Sequence, residues 1–416
     1  MKQEINRVRL FSNVMKHNCL AFMKGNVNVR LFCDSLKKQI VLSSLFKDAK
    51  HVKVDGKIFI DPFTPYFPSI YFTRLLDNNS VETFPLRPIH GQIAITDKCP
   101  CSCTHCHVEN TQSHILSRKE VFETIEDMAH LYFPLVFFVG GEPTTRLNDL
   151  CDFIRYAYQY MDTRIFTSGV GVTNKGLHHL KNAGLGGICV SLDHYDENIH
   201  NSRRGNSSAF KSACNTIQWA SELHLYVSVV CCTTRSMIHN GEIFSMVDFA
   251  ESLGAHSIQI NEIRPVGKAQ KSNNEDFFLT AKDKQILIRY YRKQNRSDRK
   301  IAIVMPWYNE EADRFGCTAT SGQHAYVDAQ GNVLPCVLLK ASVGNIRDSR
   351  FITVWKKFSK RCRHPVKDCI IYPFNEIIAN SSETPLPPLK TMEVWEGICN
   401  TEPTDIFKKI QPKEVM

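Results

Sequence analysis

The chain has 416 residues, 43% of them hydrophobic and 22% charged, with a net charge of +9; that is enough apolar length for two or three domains with real cores. No run of about 18 apolar residues occurs, and the N-terminal MKQEINRVRLFSNVMKHNCLAF puts charges where a signal peptide needs an apolar stretch, so a cytoplasmic protein without stable membrane insertion is expected. The charge is modest and spread along the chain, which argues against a nucleic-acid partner, and in a reducing compartment sixteen cysteines read as metal ligands or small buried side chains rather than a disulfide framework.

Residues 1–88 read as a small α+β region. Two helices are expected over 4–23 and 28–46, the first amphipathic, with Arg7, Arg9 and Lys16 beside Leu10, Phe11 and Val14. A hairpin follows in HVKVDGKIFID, turned at Asp55-Gly56 where glycine supplies positive φ. The Pro-rich DPFTPYFP then reads as a linker. From residue 91 strands and helices alternate: GQIAIT, PLVFFV, TRIFT, GGICVSL, LYVSVVC and HSIQINEI are strand-like, with helical patterns between. LSRKEVFETIEDMAHL shows the logic, because Ser117 and Glu120 form a capping box and Val121, Ile125 and Met128 recur on one face. Six such units predict a parallel sheet covered by helices, doubly wound or a partial barrel, with its chemistry at the strand ends.

Just after the first of these strands stands ITDKCPCSCTHCHVEN. Cys99, Cys103 and Cys106 have the spacing C-x3-C-x2-C, which can bring three thiolates around one iron–sulfur cube and leave its fourth iron open; a zinc site could use the same residues. At the end of the second strand is GGEPTTR, in which Gly140 and Gly141 let backbone approach closely and Glu142 offers a carboxylate for an ammonium. After the fourth is SLDHYDENIHNSRRG. Together these segments resemble the radical S-adenosylmethionine superfamily, whose signature is this cysteine spacing in this place. The resemblance implies a partial (β/α)6 TIM-like barrel and a 4Fe-4S cluster held by Cys99, Cys103 and Cys106, with Cys101 a bystander. It also implies that the open iron is chelated by S-adenosylmethionine, which is cleaved to a 5′-deoxyadenosyl radical that takes hydrogen from substrate. By the same resemblance, GGE binds the methionyl amino group, Ser191 and Asp193 lie near the ribose, and Arg204 reaches the cofactor carboxylate. TSG at 167–169 takes the place of the family's TNG, His105 packs near adenine, and NEIRPVGK, with Gly267, ends the sixth strand beside the adenine.

Further on, GCTATSGQHAYVDAQGNVLPCVLLKASVGNIRDSRFITVW alternates apolar and polar residues about a Gln-Gly-Asn turn, a hairpin signature. Its Cys317, Cys336 and GNI, followed by a helix reaching Trp355, resemble the extension called SPASM or its shortened form, twitch. That resemblance implies one auxiliary iron–sulfur cluster, assigned to Cys317, Cys336, Cys362 and Cys369, with Cys399 a weaker candidate. The expected division is 1–88; a core over 89–270; a helical connector over 271–310; an auxiliary-cluster domain over 311–380; and a tail over 381–416. Cys189, Cys231 and Cys232 in strands, and Cys19, Cys33, Cys151 and Cys214 on helices, read as buried small side chains.

A radical enzyme with one catalytic and one auxiliary cluster accounts for GGE and the SLD segment, which a zinc-binding interaction protein or an electron-transfer iron–sulfur protein leaves unexplained. Its expected partners are a flavodoxin- or ferredoxin-type reductant and a peptide or protein substrate, with a small molecule or lipid as the alternative. Asp328 is the candidate for removing a proton.

Overall fold

The run Leu135–Val139, LVFFV, is buried at every position, as a parallel strand covered on both faces must be. Its alternate residues divide between two cores. Leu135, Phe137 and Val139 face an inner cluster with Ala94, Cys189, Val230 and Tyr326, whereas Val136 and Phe138 join the larger cluster built with the helices. The computed structural model describes residues 47–76, 88–108, 113–272, 274–311, 313–339, 341–372, 386–399 and 401–405, with 16, 377 and 408. The two helices expected over 4–23 and 28–46 fall outside these stretches, apart from residue 16.

The N-terminal hairpin forms as expected. Strand β1 (Val52–Val54) pairs antiparallel with β2 (Lys57–Phe59), and both turn residues, Asp55 and Gly56, have positive φ. The six strands of the core follow at the expected runs: β3 (His90–Ala94), β4 (Leu135–Val139), β5 (Asp162–Thr167), β6 (Gly187–Ser191), β7 (Tyr226–Thr233) and β8 (Ser257–Glu262), each parallel to the next. The helix Arg118–His130 begins at the Ser117–Glu120 capping box and buries Val121, Ile125 and Met128.

Two further strands extend the parallel sheet. β9 (Ala302–Val304) pairs with β8, so the segment read as a helical connector holds the helix Ala281–Asn295 and a strand; three residues are too few to display a period. β10 (His324–Val327) and β11 (Asn332–Leu334) make the expected C-terminal hairpin, with Tyr326 opposite Leu334. β10 also pairs in parallel with β3, His324 opposite His90, and β12 (Gly344–Asn345) adds to β11. Among the described residues the order β12-β11-β10-β3-β4-β5-β6-β7-β8-β9 is an open arc, a partial barrel whose first edge is supplied by the C-terminal hairpin.

DPFTPYFP is packed under this arc and is not a free linker. Arg164 of β5, fully buried and 3.2 Å from Asp162, donates to the carbonyls of Asp61, Pro62 and Thr64. Phe59 stacks on Tyr226 with centroids 4.3 Å apart, and Phe63 lies 5.8 Å from Phe137. The physical reason is that the segment packs its half-buried rings against the sheet and bridges β2 through Phe67 and Ile58, while the carbonyls of Asp61, Pro62 and Thr64 need a donor that the guanidinium provides. The stretch expected as a tail likewise contains the helix Pro388–Cys399, which buries Val394, Trp395 and Ile398, with Trp395 5.0 Å from Phe358. Among the described residues no helix is long and apolar enough to cross a membrane.

Candidate active site

The loop that leaves β3 carries all four clustered cysteines, and three other strand-end loops grip it. Beyond β4, Gly141 N–H donates to Thr96 O (2.8 Å) and Glu142 N–H to Lys98 O (2.8 Å). A Cβ on Gly140, whose φ is +144°, would lie 2.0 Å from Thr96 O, and one on Gly141 2.4 Å from both Asp97 O and Lys98 O. The two glycines therefore admit the cysteine loop's backbone, a partner inside the chain that the sequence does not name. Beyond β6, Ser102 N–H donates to Arg204 O (2.9 Å) and Thr104 N–H to Arg203 O (3.0 Å), Gly205 packs on Ser102, and Asn206 reaches Pro100 O (2.9 Å). Beyond β8, Lys268 donates from its N–H to Cys106 O and from Nζ to Ser102 Oγ, each at 2.9 Å, while Gly267, at φ +55°, lies against Cys106 O and His107. Three grips hold the loop before any ligand binds it.

Within this loop Cys101 and Cys103 are buried, and Cys99 and Cys106 are half-buried. Burial pushes the Cys103 and Cys106 thiols up, and Arg204 partly offsets this at both. The thiols of Cys99 and Cys101 share a hydrogen bond, which raises Cys99 and, with help from Ser168 and Arg204, brings Cys101 down to about 7. Cys101, set aside in sequence, thus lies among the other three thiols.

Glu142 is fully buried. Its carboxylate accepts from Thr144 N–H and Oγ1 (3.2 and 2.7 Å), Thr167 Oγ1 (2.8 Å), and Ser168 N–H and Oγ (2.7 Å each). The TSG segment of β5 is therefore what orients the GGE carboxylate. Ser191 closes β6, half-buried. Two residues on, Asp193 is fully buried; its Oδ2 lies 2.8 Å from Arg204 Nε and 3.7 Å from His105 Nε2, and its Oδ1 accepts from Cys232 N–H at 2.9 Å. Burial opposes charge on Asp193, but the Arg204 guanidinium outweighs it and holds the carboxyl well below the usual range. Burial also drives His105 down to about 3, so the ring is neutral. His105, Asp193 and Cys232 each offer a ligand atom, all within 4.8 Å of one another. Arg204, expected at a cofactor carboxylate, is engaged by Asp193 and by Cys103, whose Sγ is 3.6 Å from Nη1.

In the C-terminal region Cys317, Cys336 and Cys369 lie within electrostatic reach of one another. The Cys317 thiol donates to Cys369, which raises the first and, with Arg264, lowers the second, while burial pushes Cys336 up to about 12. The backbones of Cys317 and Val366 form a two-way bridge. Cys362 is buried just past the helix Phe351–Ser359, in the same apolar cluster as Cys317. Asp328 is used by the hairpin: its carboxylate accepts from the N–H groups of Gln330 and Asn332 and from Asn332 Nδ2, each at 2.9 Å, which gives it a turn-holding role. Asn206 lies outside the motifs read in sequence, and Thr144, Thr167 and Lys268 lie within them without an assigned role. Thr144 bonds Glu142 within its own segment, whereas Thr167, Asn206 and Lys268 reach residues of a different segment, a relation that single-chain spacing does not display.

Four thiols on one clamped, largely buried loop, with a buried cation at one sulfur, have the donor chemistry of an iron–sulfur centre and fit such a cluster. A parallel partial barrel bearing that loop at its strand ends defines the class as a radical enzyme scaffold. Residues 93–253 match the family model of the radical SAM superfamily, and residues 317–371 match that of the SPASM iron-sulfur cluster-binding domain. The chain belongs to the radical S-adenosylmethionine superfamily, with a SPASM extension. The family's cofactors are a 4Fe-4S cluster and S-adenosylmethionine, and the extension indicates an auxiliary iron–sulfur cluster. The chain is 24% identical over 290 residues to an AdoMet-dependent heme synthase of Oleidesulfovibrio alaskensis, covering 63% of this chain and 73% of that one. It is 25% identical over 272 residues to a PqqA peptide cyclase of Bradyrhizobium diazoefficiens, covering 64% and 70%. Among solved structures, SuiB of Streptococcus suis bound to S-adenosylmethionine superposes with a TM-score of 0.53 at 16% identity, covering 65% of this chain and 66% of that one.

Proposed function

We propose that this chain is a radical S-adenosylmethionine enzyme that modifies a peptide or protein, with the chemistry carried by Cys99, Cys103 and Cys106. The observation that carries the reading is the convergence of the GGE, RRG and VGK glycines on the cysteine loop, since each would collide with that loop's backbone if it bore a side chain. When bound, the cluster and S-adenosylmethionine supply a 5′-deoxyadenosyl radical for hydrogen abstraction. The protein's own contribution is positional. Thr167 and Ser168 fix the Glu142 carboxylate for an ammonium, the inner wall of Ala94, Phe137, Val139 and Val230 keeps water from the reacting centre, and neutral His105 packs beside Asp193 without adding charge. Cys317, Cys336, Cys362 and Cys369 are the proposed ligands of the auxiliary cluster, and a flavodoxin- or ferredoxin-type protein the proposed reductant.

Peptide as substrate is supported by the names of relatives: a PqqA peptide cyclase, and SuiB, a second structure of which contains precursor peptide SuiA. The AdoMet-dependent heme synthases favour a second reading, action on a small molecule. Anaerobically reconstituted protein, reduced in the presence of S-adenosylmethionine, is expected to release 5′-deoxyadenosine, and more of it with a precursor peptide encoded beside the gene. An intact cluster without 5′-deoxyadenosine would overturn the enzyme assignment. Stimulation by a small molecule and not by peptide would overturn the substrate class.

A further inference from the structure

Arg204 is a cation that the fold has placed at one sulfur of the cysteine loop and then locked. It is buried, its Nε faces the buried Asp193 carboxylate at 2.8 Å, and Nη1 points at Cys103 Sγ, 3.6 Å away, within the range of a sulfur hydrogen bond. Its own carbonyl accepts from Ser102 N–H, one residue before that cysteine, and the following Gly205, at φ +60°, abuts Ser102 O. The guanidinium is thus held at both its backbone and its fork, and Asp193 is in turn fixed by Cys232 N–H. The known levers on an iron–sulfur cluster's potential are hydrogen bonds to its sulfurs, nearby charge and burial, and this arrangement supplies all three at Cys103.

From this geometry we infer that Arg204, oriented by Asp193, sets the reduction potential of the cluster held by the cysteine loop, by donating to the Cys103 thiolate, and is a positioning residue for the cluster and not the anchor of a cofactor carboxylate. Reduction adds one electron to the cluster, and a fixed positive donor at a ligand sulfur favours the more negative, reduced form. Asp193 opposes this with its own charge while aiming the donor, so the two residues act on the potential with opposite signs. The inference rests on the proposed function in needing a cluster on this loop.

The test is a redox titration of the reconstituted full chain followed by the cluster's EPR signal, with S-adenosylmethionine affinity read separately from the change that its binding makes in that signal. Arg204→Gln is expected to make the cluster harder to reduce, with roughly tenfold less reduced form at a fixed potential, about 59 mV for a one-electron couple. Arg204→Lys, which keeps the charge, should recover most of that difference. Asp193→Asn is expected to shift the potential the other way, and it carries the test if Arg204→Gln does not fold. An unchanged potential in a folded, iron-loaded Arg204→Gln, with S-adenosylmethionine binding lost, would overturn the inference in favour of a carboxylate anchor; so would an unchanged potential in Asp193→Asn. Wild-type protein that takes up no iron would instead sink the proposed function, so the two failures are distinguishable.

Discussion

The thiols of Cys99 and Cys101 stand two residues apart and share a hydrogen bond, yet only one of them fits the C-x3-C-x2-C spacing. Replacing Cys99 by Ala is expected to abolish cluster loading and 5′-deoxyadenosine release, whereas Cys101→Ala should keep the iron content and lose only the hydrogen bonds of that thiol to Cys99 and Ser168. Iron and sulfide analysis of the two variants decides the ligand set, and the reverse pattern would assign the cube to Cys101, Cys103 and Cys106. At this scale the residue types were legible in sequence but several of their partners were not. Glu142 reads as an open carboxylate, and its orientation is set by Thr144, Thr167 and Ser168, which donate to it. Arg204 reads as a cofactor contact and is claimed by Asp193. Such pairings are set by how strand ends meet across the sheet, and β4 and β5 or β6 and the cysteine loop are too far apart in sequence for spacing to reveal them.

The strand-end loops are glycine-marked because three of them must touch a fourth. Gly141→Ala would place a methyl 2.4 Å from two carbonyl oxygens of the cysteine loop, and backbone cannot yield as a flexible side chain can. The variant is expected to fold with about 1–3 kcal/mol less stability and to load much less iron. Gly171→Ala is the control. Unlike Gly141 it has a positive φ, +86°, but its added methyl meets nothing within 4 Å, so it should lose about 1–2 kcal/mol from backbone strain and keep its iron. Equal iron loading in the two variants would remove the grip on the cysteine loop as the reason for the GGE glycines. The six core strands were legible because each is a buried run bounded by turn residues, and the Ser117 helix because its capping box is local. β9, at three residues, has too little pattern, and the pairing of β10 with β3 joins residues more than 200 apart in sequence, which no local signal encodes.

Across the whole molecule, the partial barrel encloses more ionisable groups than an apolar core would, and they determine how it meets acid. Arg164 and Asp162 form a fully buried pair under the sheet, with the guanidinium also closing the carbonyls of the 61–64 segment; removing one partner of such a pair typically costs about 3–5 kcal/mol, so Arg164→Met should lower the melting temperature and loosen that segment. The histidines act through pH. Burial pushes His200, which accepts from Asp193 N–H, down to about 4, and does the same to His324, while His90, its ring tilted against that of His324 with centroids 4.3 Å apart, is also held well below its usual range. In the unfolded chain each would titrate near 6.5. A group whose folded pKa is depressed binds more protons when unfolded, so the stability it contributes is complete above about pH 6.5 and is lost as pH falls toward 4. Calorimetry of the metal-free protein at pH 7.5 and pH 5 should therefore show a lower melting temperature at pH 5, and His200→Gln should shrink that difference. An equal melting temperature at the two pH values would mean that these rings protonate in place, and that the barrel interior admits water that the packing of His90, Phe63 and Phe137 argues it excludes.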